Sequence, residues 1–276
     1  IFRLTPICYL IVPFGHVMPL EDALKQLKAL PRPVYGQAEA LPNIALGYDH
    51  SHPWIQLSYA SQGVLEVQTK AGRYLAPPQR AVWIPAGINH RVQCFGYTRI
   101  RSLYIEPSAL STPPTDTCVI QVSPLLRELI HAFSLFDSQY PEQGSEARLT
   151  QVLLDQLQHA PVSDSMLPLP HDPRALVIAE HLQQQPDCNQ SLASWAENLN
   201  VSEKTLSRLF IQQTGLSFRL WRQRLRILYA LPMLEQQHSV TDVALACGYE
   251  SVSAFIHAFS RHFHCTPGEF FSDTAS

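Results

Sequence analysis

The sequence predicts a two-domain α+β chain: a β-rich front half closed by a pair of helices, followed by an all-helical C-terminal part. Three observations carry this. Short alternating apolar segments separated by turn residues fill the stretch from about residue 40 to 107, and the 22 prolines sit mostly in the first two-thirds of the chain, where they punctuate strands rather than helices. From Ser123 onward apolar residues recur at helical spacing. In the last hundred or so residues, one helix-pair pattern occurs twice.

The front elements follow in order. Gly63-Val64-Leu65-Glu66-Val67-Gln68-Thr69 has an alternating part, and Lys70-Ala71-Gly72 supplies the turn that ends it. Ala81-Val82-Trp83-Ile84 and the run from Ile100 to Ile105 are further short strands, which suits a sandwich or barrel. Leu125, Leu126, Leu129, Ile130 and Phe133 then form one helical stripe, and Leu149, Val152, Leu153 and Leu157 another. These two helices either close the domain or pair with a second subunit. Residues 1–160 therefore form the first domain. Residues 161–171, rich in proline and serine, read as a linker. The second domain spans 172–276 and opens with Asp172 as N-cap and Pro173 at the first helical position.

Hydrophobic residues make up 46% of the chain and charged ones 16%, so a disordered chain is excluded. The formal net charge is -3. That total hides a basic stretch: Lys204, Arg208, Arg219, Arg222, Arg224 and Arg226 follow one another without an acidic residue between them. Local charge governs contact with phosphate, because salt screens the rest beyond about 10 Å. The six cysteines are scattered with no C-x-x-C spacing, so a reducing, cytoplasmic setting is expected and a zinc knuckle is not. The apolar run Ile7–Phe14 is short and bounded or broken by Pro6 and Pro13, so neither a membrane span nor a signal peptide is expected.

In the second domain, Leu192, Trp195, Ala196 and Leu199 make one apolar helix face, a turn passes through Asn200-Val201, and Ser202 caps a helix whose inner face is Leu206, Leu209 and Phe210. Two short helices joined by a tight turn make a helix-turn-helix. The pattern returns with Val240, Val243 and Ala244, the turn Gly248-Tyr249, the cap Ser251, and Phe255, Ala258, Phe259 and Phe263 inside. Ser202 and Ser251 are 49 positions apart, as are Leu206 and Phe255. Ser239-x-x-Asp242 and Thr266-Pro267-Gly268-Glu269 read as capping boxes. The stretch Ser217–Leu234 between the units reads as one helix of roughly 27 Å, long enough to set two recognition helices in neighbouring major grooves about 34 Å apart.

These residues reach a known family. V-S-E-K-T-L-S-R-L-F, the S-F-x-x-W-R-x-R-L-R beginning at Ser217, and D-V-A-x-x-x-G-Y-x-S-x-S-x-F-x-x-x-F-x-R make residues 172–272 resemble the AraC/XylS DNA-binding domain. By position in that pattern, the resemblance implies base contact by Lys204, Ser207 and Arg208 in the first unit and by Ser253 and His257 in the second. Thr205, Arg222, Arg226, Ser251 and Arg261 complete the expected DNA-binding set. Two residues depart from the pattern: His264 stands where the family usually has glycine, and Phe271 where it commonly has arginine. The second recognition helix is poor in hydrogen-bonding groups, so the first unit is expected to do most of the sequence reading.

In the front domain, His50 and His52 lie on one face of a strand. The spacings H-x-H-x3-Q-x6-G from His50 and P-x-G-x2-H ending at His90 resemble the two motifs of the cupin barrel, which AraC-type regulators often carry as an effector domain. The expected fold is thus an N-terminal cupin-like β-barrel with flanking helices and a C-terminal all-α double helix-turn-helix. The expected metal ligands are His50, His52, Gln56 and His90, holding a divalent ion such as zinc or nickel. Cupin sites typically have glutamate where Gln56 stands, so one negative charge is missing. Without metal, the same histidines would line an organic-effector pocket or simply pack. Trp54, Tyr59, Trp83 and Tyr104 are the expected walls of an effector pocket.

The expected function is a non-enzymatic, sequence-specific transcription regulator controlled by a small molecule or metal. Its expected partners are a double-stranded DNA operator, a second copy of the chain and, for an activator, RNA polymerase; no membrane partner is expected. The alternative is a cupin-type metalloenzyme with an appended DNA-binding module, which the missing carboxylate weakens.

Overall fold

The computed structural model describes residues 9–11, 17–19, 29–36, 47–163 and 165–272. Most of the apolar run Ile7–Phe14, and residues 40–46 of the expected β region, lie outside the described residues. No helix among the described residues is long and apolar enough to cross a membrane.

The front domain is built on β4 (Ile55–Thr69), fifteen residues long. Its first half pairs antiparallel with β6 (Arg80–Ile84) and β8 (Leu103–Ile105). Its second half pairs with β5 (Gly72–Ala76) and, most extensively, with β7 (His90–Ile100). The change of partners falls between Tyr59 and Ala60, just before register shifts between Ala60, Gln62 and Val64, where Gly63 has φ 82. A β-bulge adds a residue, bends the strand and increases its twist. At Gly63 a Cβ would lie 2.6 Å from the Tyr97 carbonyl oxygen, so only glycine fits the close crossing of β7. β3 (Val34–Tyr35) joins β8, and β9 (Cys118–Gln121) joins β6. A two-stranded sheet of β1 (Tyr9–Ile11) and β2 (Val17–Pro19) completes the strands near the start.

Alternation splits the sheet into two faces. Ile55, Leu57, Tyr59, Trp83, Leu103 and Ile105 face outward onto α1 (Pro124–Phe133) and α2 (Ser145–Gln158), where Leu126, Ile130, Phe133, Leu153, Leu154 and Leu157 complete the core. Ala60, Leu65, Val67, Tyr74, Val82, Ile84 and Val92 form the opposite, interior core. The two helices thus close the domain, although Leu125 and Val152 of the expected stripes remain exposed.

The stretch expected as a linker contains two short strands. β10 (Val162–Ser163) pairs with β9, and β11 (Met166–Pro168) pairs with β5. Composition suggested a free tether, but proline is tolerated on edge strands, where its missing N–H costs no ladder bond.

The C-terminal domain is all helical: α3 (Pro173–Gln184), α4 (Leu192–Asn198), α5 (Glu203–Thr214), α6 (Phe218–Glu235), α7 (Val240–Ala246), α8 (Val252–Phe263) and α9 (Pro267–Ser272). The caps are where the sequence puts them. Asp172, Ser202, Ser217, Ser239 and Ser251 each accept a backbone N–H of the first turn. Thr266 and Glu269 cap each other reciprocally.

The repeat explains one departure from the family pattern. Gly215 ends α5 with φ 72, and His264, 49 positions later, ends α8 with φ 62. The second helix end is therefore preserved, with a side chain held in the left-handed region that glycine occupies without strain. Replacing His264 with glycine is expected to raise stability by about 1 kcal/mol, read by urea unfolding. Unchanged or reduced stability would show that the His264 side chain repays its own strain.

Candidate metal centre and nucleic-acid interface

The histidines expected to act together do meet. His50 and His90 form an isolated antiparallel bridge, so the segment before β4 lies along the start of β7. One ring nitrogen from each of His50, His52 and His90 lies within 4.8 Å of the others. Each ring is oriented through its Nδ1–H. His50 donates to the Tyr48 carbonyl at 3.0 Å, His52 to that of Trp54 at 2.9 Å, and His90 to that of Ile88 at 2.9 Å. Carbonyl oxygens only accept, so Nδ1 carries the proton and each Nε2 presents a lone pair.

Three such lone pairs converge, and Gln56 adds a fourth polar group. Its Oε1 lies 2.9 Å from His52 Nε2 and 3.1 Å from His90 Nε2, while its Nε2 donates to Ser58 Oγ at 3.0 Å. In that setting acceptors face acceptors. Turning the amide over would place its N–H groups on the two imidazoles and let Ser58 donate to the oxygen. In either setting His50 Nε2 is buried without a partner among the described residues. Burial also keeps the rings neutral. It lowers the pKa of His50 and His52, and takes His90 down to about 3. Neutral imidazoles whose unprotonated Nε2 atoms converge are the form that binds a metal, and the donor set fits zinc or nickel.

The expected aromatic pocket divides between the two faces of the sheet. Trp54 and Tyr104 pack beside His52, with ring centroids 5.7 and 4.9 Å away. Tyr59 and Trp83 face the other way, into the core under α1 and α2. The Trp83 indole donates there to the Pro114 carbonyl. Tyr59 and Trp83 are therefore corrected to outer-face residues, because they have the opposite parity from the histidine side.

On α5, Leu206, Leu209 and Phe210 are buried while Lys204 and Arg208 are exposed, with Thr205 and Ser207 half-buried. On α8, Phe255, Ala258 and Phe259 are buried, and Ser253, His257 and Arg261 are exposed. Ser251 is exposed and caps α8 through the Ala254 N–H. Each recognition helix thus presents the residues expected on its outer face.

Arg226 departs from the expectation. It is 9% exposed, donates to the carbonyls of Pro186 and Cys188 and to Asn189 Oδ1, and lies over the Tyr249 ring. It ties the spacer helix α6 to the loop before α4 and to the turn of the second unit, and it is removed from the phosphate-contacting set. Gly248, with φ 73, lets that turn approach: a Cβ there would lie 2.6 Å from Asp187 Cα. Arg222 is half-buried, donating to the Gln190 carbonyl at 2.8 Å and stacking on Phe218.

Sequence reasoning missed the join between the domains. The Gly63 N–H donates to Glu235 of α6 at 2.8 Å, and the Trp221 indole donates to the Pro168 carbonyl at 2.6 Å. Arg73 pairs with buried Glu66 and reaches Gln183 of α3 at 2.9 Å. Gln79 donates to the Phe270 carbonyl of α9. Val64, Leu75 and Leu167 belong to the same apolar cluster as the helical domain. Only the glycine in a strand-like run signalled an irregularity there.

Similar proteins are known for both halves of the chain. The family described as AraC-like ligand binding domain matches residues 33–158, and that described as helix-turn-helix domain matches residues 195–273. The chain is 37% identical over 221 residues to the HTH-type transcriptional regulator NimR of Escherichia coli K12, covering 80% of this chain and 81% of that protein. It is 37% identical over 103 residues to the HTH-type transcriptional regulator RipA of Corynebacterium glutamicum, covering 37% and 31% respectively. Among solved structures, ToxT from Vibrio cholerae O395 aligns with a TM-score of 0.38 at 13% identity, covering 88% of this chain and 97% of that one.

Replacing Arg226 with methionine strands three acceptors and is expected to cost about 2–4 kcal/mol of stability, measured by urea unfolding. The salt dependence of DNA binding by the folded fraction is expected to stay the same. A salt slope reduced by about one would return Arg226 to the phosphate contacts.

Proposed function

The chain belongs to the AraC-like family of helix-turn-helix transcription regulators, and on that premise we propose that a divalent cation in the front domain governs how its two recognition helices engage an operator. The observation that carries this is the buried convergence of three imidazole lone pairs, with His50 Nε2 lacking any partner among the described residues. An unpaired buried acceptor costs about 1–3 kcal/mol, and a cation removes that cost at His50 while coordinating the two rings that share Gln56. His50, His52 and His90 are the ligands and Gln56 the fourth donor, with zinc or nickel as the cation. When bound, the cation supplies a Lewis-acidic coordination point for an effector. Trp54 and Tyr104 wall the histidine side.

The first helix-turn-helix unit does most of the reading. Lys204 and Arg208 reach guanine edges, and Ser207 bonds to a base or phosphate. Ser253 and His257 act from the second unit, with Thr205, Ser251, Arg222 and Arg261 holding the backbone. Two copies of the chain bind paired half-sites, and an activating complex recruits RNA polymerase. The exposure of Lys204, Arg208, Ser253 and His257 on the outer helix faces supports their base-reading roles.

Protein purified without chelator or histidine tag is expected to carry about one zinc or nickel per chain by mass spectrometry, and the His50/His52/His90 triple alanine variant none. No metal even after reconstitution would make the histidines the lining of an organic-effector pocket. Arg208→Ala is expected to weaken specific binding by about 1–3 kcal/mol and relax one base preference. Equal weakening on every sequence in a binding-site selection would restrict Arg208 to phosphate contact.

A further inference from the structure

A second cavity lies on the outer face of the front domain, away from the histidines. It has a volume of about 240 Å³ and is walled by Arg99 and Arg101 from the β7 end, by Arg127 and His131 of α1, and by Ser61 and Gln62 of β4. Tyr59 and Glu128 also line it. Three guanidinium groups face one carboxylate.

The basic groups are weakly committed. Arg127 and Glu128 form an exposed pair at 3.1 Å, of the kind that contributes little in water. His131 lies 4.0 Å from the same carboxylate. Arg101 donates to its neighbour's carbonyl. The Arg99 side chain has no hydrogen-bond or ion-pair partner among the described residues.

An independent feature points to a ligand. Tyr59 is 1% exposed, and its hydroxyl is buried without a hydrogen-bond partner among the described residues. Burial raises the pKa of its phenol, and the charges of Arg127 and Glu128 act on it in opposite directions. A phenol in that position is a donor in search of an acceptor, and leaving it unmatched costs about 1–3 kcal/mol. The bulge supplies the space: Ser61 and Gln62 lie at the β4–β7 register shifts, and Ser61 Oγ donates to the Arg99 carbonyl at 3.2 Å, fixing the base of that arginine.

We propose that this cavity binds a small oxyanion, a carboxylate or phosphate ester, between Arg99, Arg101 and Arg127, with the Tyr59 hydroxyl donating to it. Arginine forks match both groups with paired N–H···O bonds. The volume lies below the about 300–1,000 Å³ of typical organic-ligand pockets, which limits the ligand to a few non-hydrogen atoms beyond its anionic group. The site is separate from the metal centre, because Tyr59 and Gln56 lie on opposite faces of β4.

The test is thermal unfolding of the full chain in potassium phosphate and, in parallel, potassium succinate, each against potassium chloride at equal ionic strength. The wild type is expected to show a saturable rise in Tm with at least one of the two anions. A response to phosphate alone assigns phosphate esters, and one to succinate alone assigns carboxylates. Because phosphate stabilises folded proteins generally, the Arg99→Gln variant is the control. It is expected to need about tenfold more anion for the same rise. Tyr59→Phe is expected to keep or raise the anion-free Tm, since it removes an unmatched hydroxyl, while its response to the anion falls at least severalfold. Equal responses in wild type and Arg99→Gln, or no response to either anion, overturn the proposal. A lower anion-free Tm in Tyr59→Phe also overturns it, by showing the hydroxyl already matched.

Discussion

One strand must serve two sets of neighbours, and the molecule is arranged around how it does so. β4 pairs with β6 and β8 up to Tyr59 and with β7 and then β5 from Ala60 onward, across the irregular stretch that contains Gly63. A flat strand of fifteen residues could not do this, because a right-handed sheet of that length twists away from one set of partners. The bulge at Gly63 absorbs the conflict, and its consequences are chemical as well as geometric. Upstream, Gln56 reaches the histidines on the inner face and Tyr59 the outer core. At the bend itself, a backbone N–H freed from the ladder finds Glu235 of the helical domain. Downstream, Val64 enters the core of that domain, and Glu66 anchors the arginine that reaches Gln183. The histidine side and the docking side are thus two ends of one element.

The helical domain meets this strand through α6. Trp221, Leu225 and Leu228 are buried in a cluster that also takes in Leu75 and Leu167 of the front sheet. The edge strand β11 holds the Trp221 indole through the Pro168 carbonyl. On its other side α6 carries Arg226, which grips the loop before α4 and touches Tyr249 of the second unit. A spacer helix that only separated two DNA-reading units would have needed no such buried cation. A buried guanidinium is stable only when its donors are matched, and here carbonyls at a chain turn match them.

What the sequence disclosed was local. The caps at Ser202, Ser239 and Ser251 and the 49-residue repeat could be read because a cap and its first turn lie within a few residues. His50 and His52 do meet, but not through the expected period of two: His50 makes an isolated bridge and residues 51–54 lie outside any strand. The same period held a warning about Tyr59, whose odd number along β4 puts it opposite Gln56, but Trp83 needed the register of β6 against β4 before its face was defined. Arg226 looked like its neighbours Arg222 and Arg224 because charge alone does not set helical phase. The segment 161–171 looked like a tether because composition reports what a backbone tends to do without partners, and β5 and β9 provide partners from about ninety and forty residues away.

The energies are matched in a way that gives the domain interface a role. The front domain touches α3 ahead of the first unit through Gln183, α9 after the second through Phe270, and α6 between the units through Glu235. A hydrogen bond to a charged group contributes about 1.5–3 kcal/mol, and coupling between distant sites is typically about 1–3 kcal/mol. Loss of the Gly63–Glu235 contact alone is therefore of the size needed to change the relative setting of the two units. A larger interface of mutually exclusive packings is unnecessary. Under the proposal that a cation fills the histidine centre, the bulge would hold one position with it filled and another with it empty, and a strand already bent at a glycine with φ 82 can shift there at least cost to the ladders on either side.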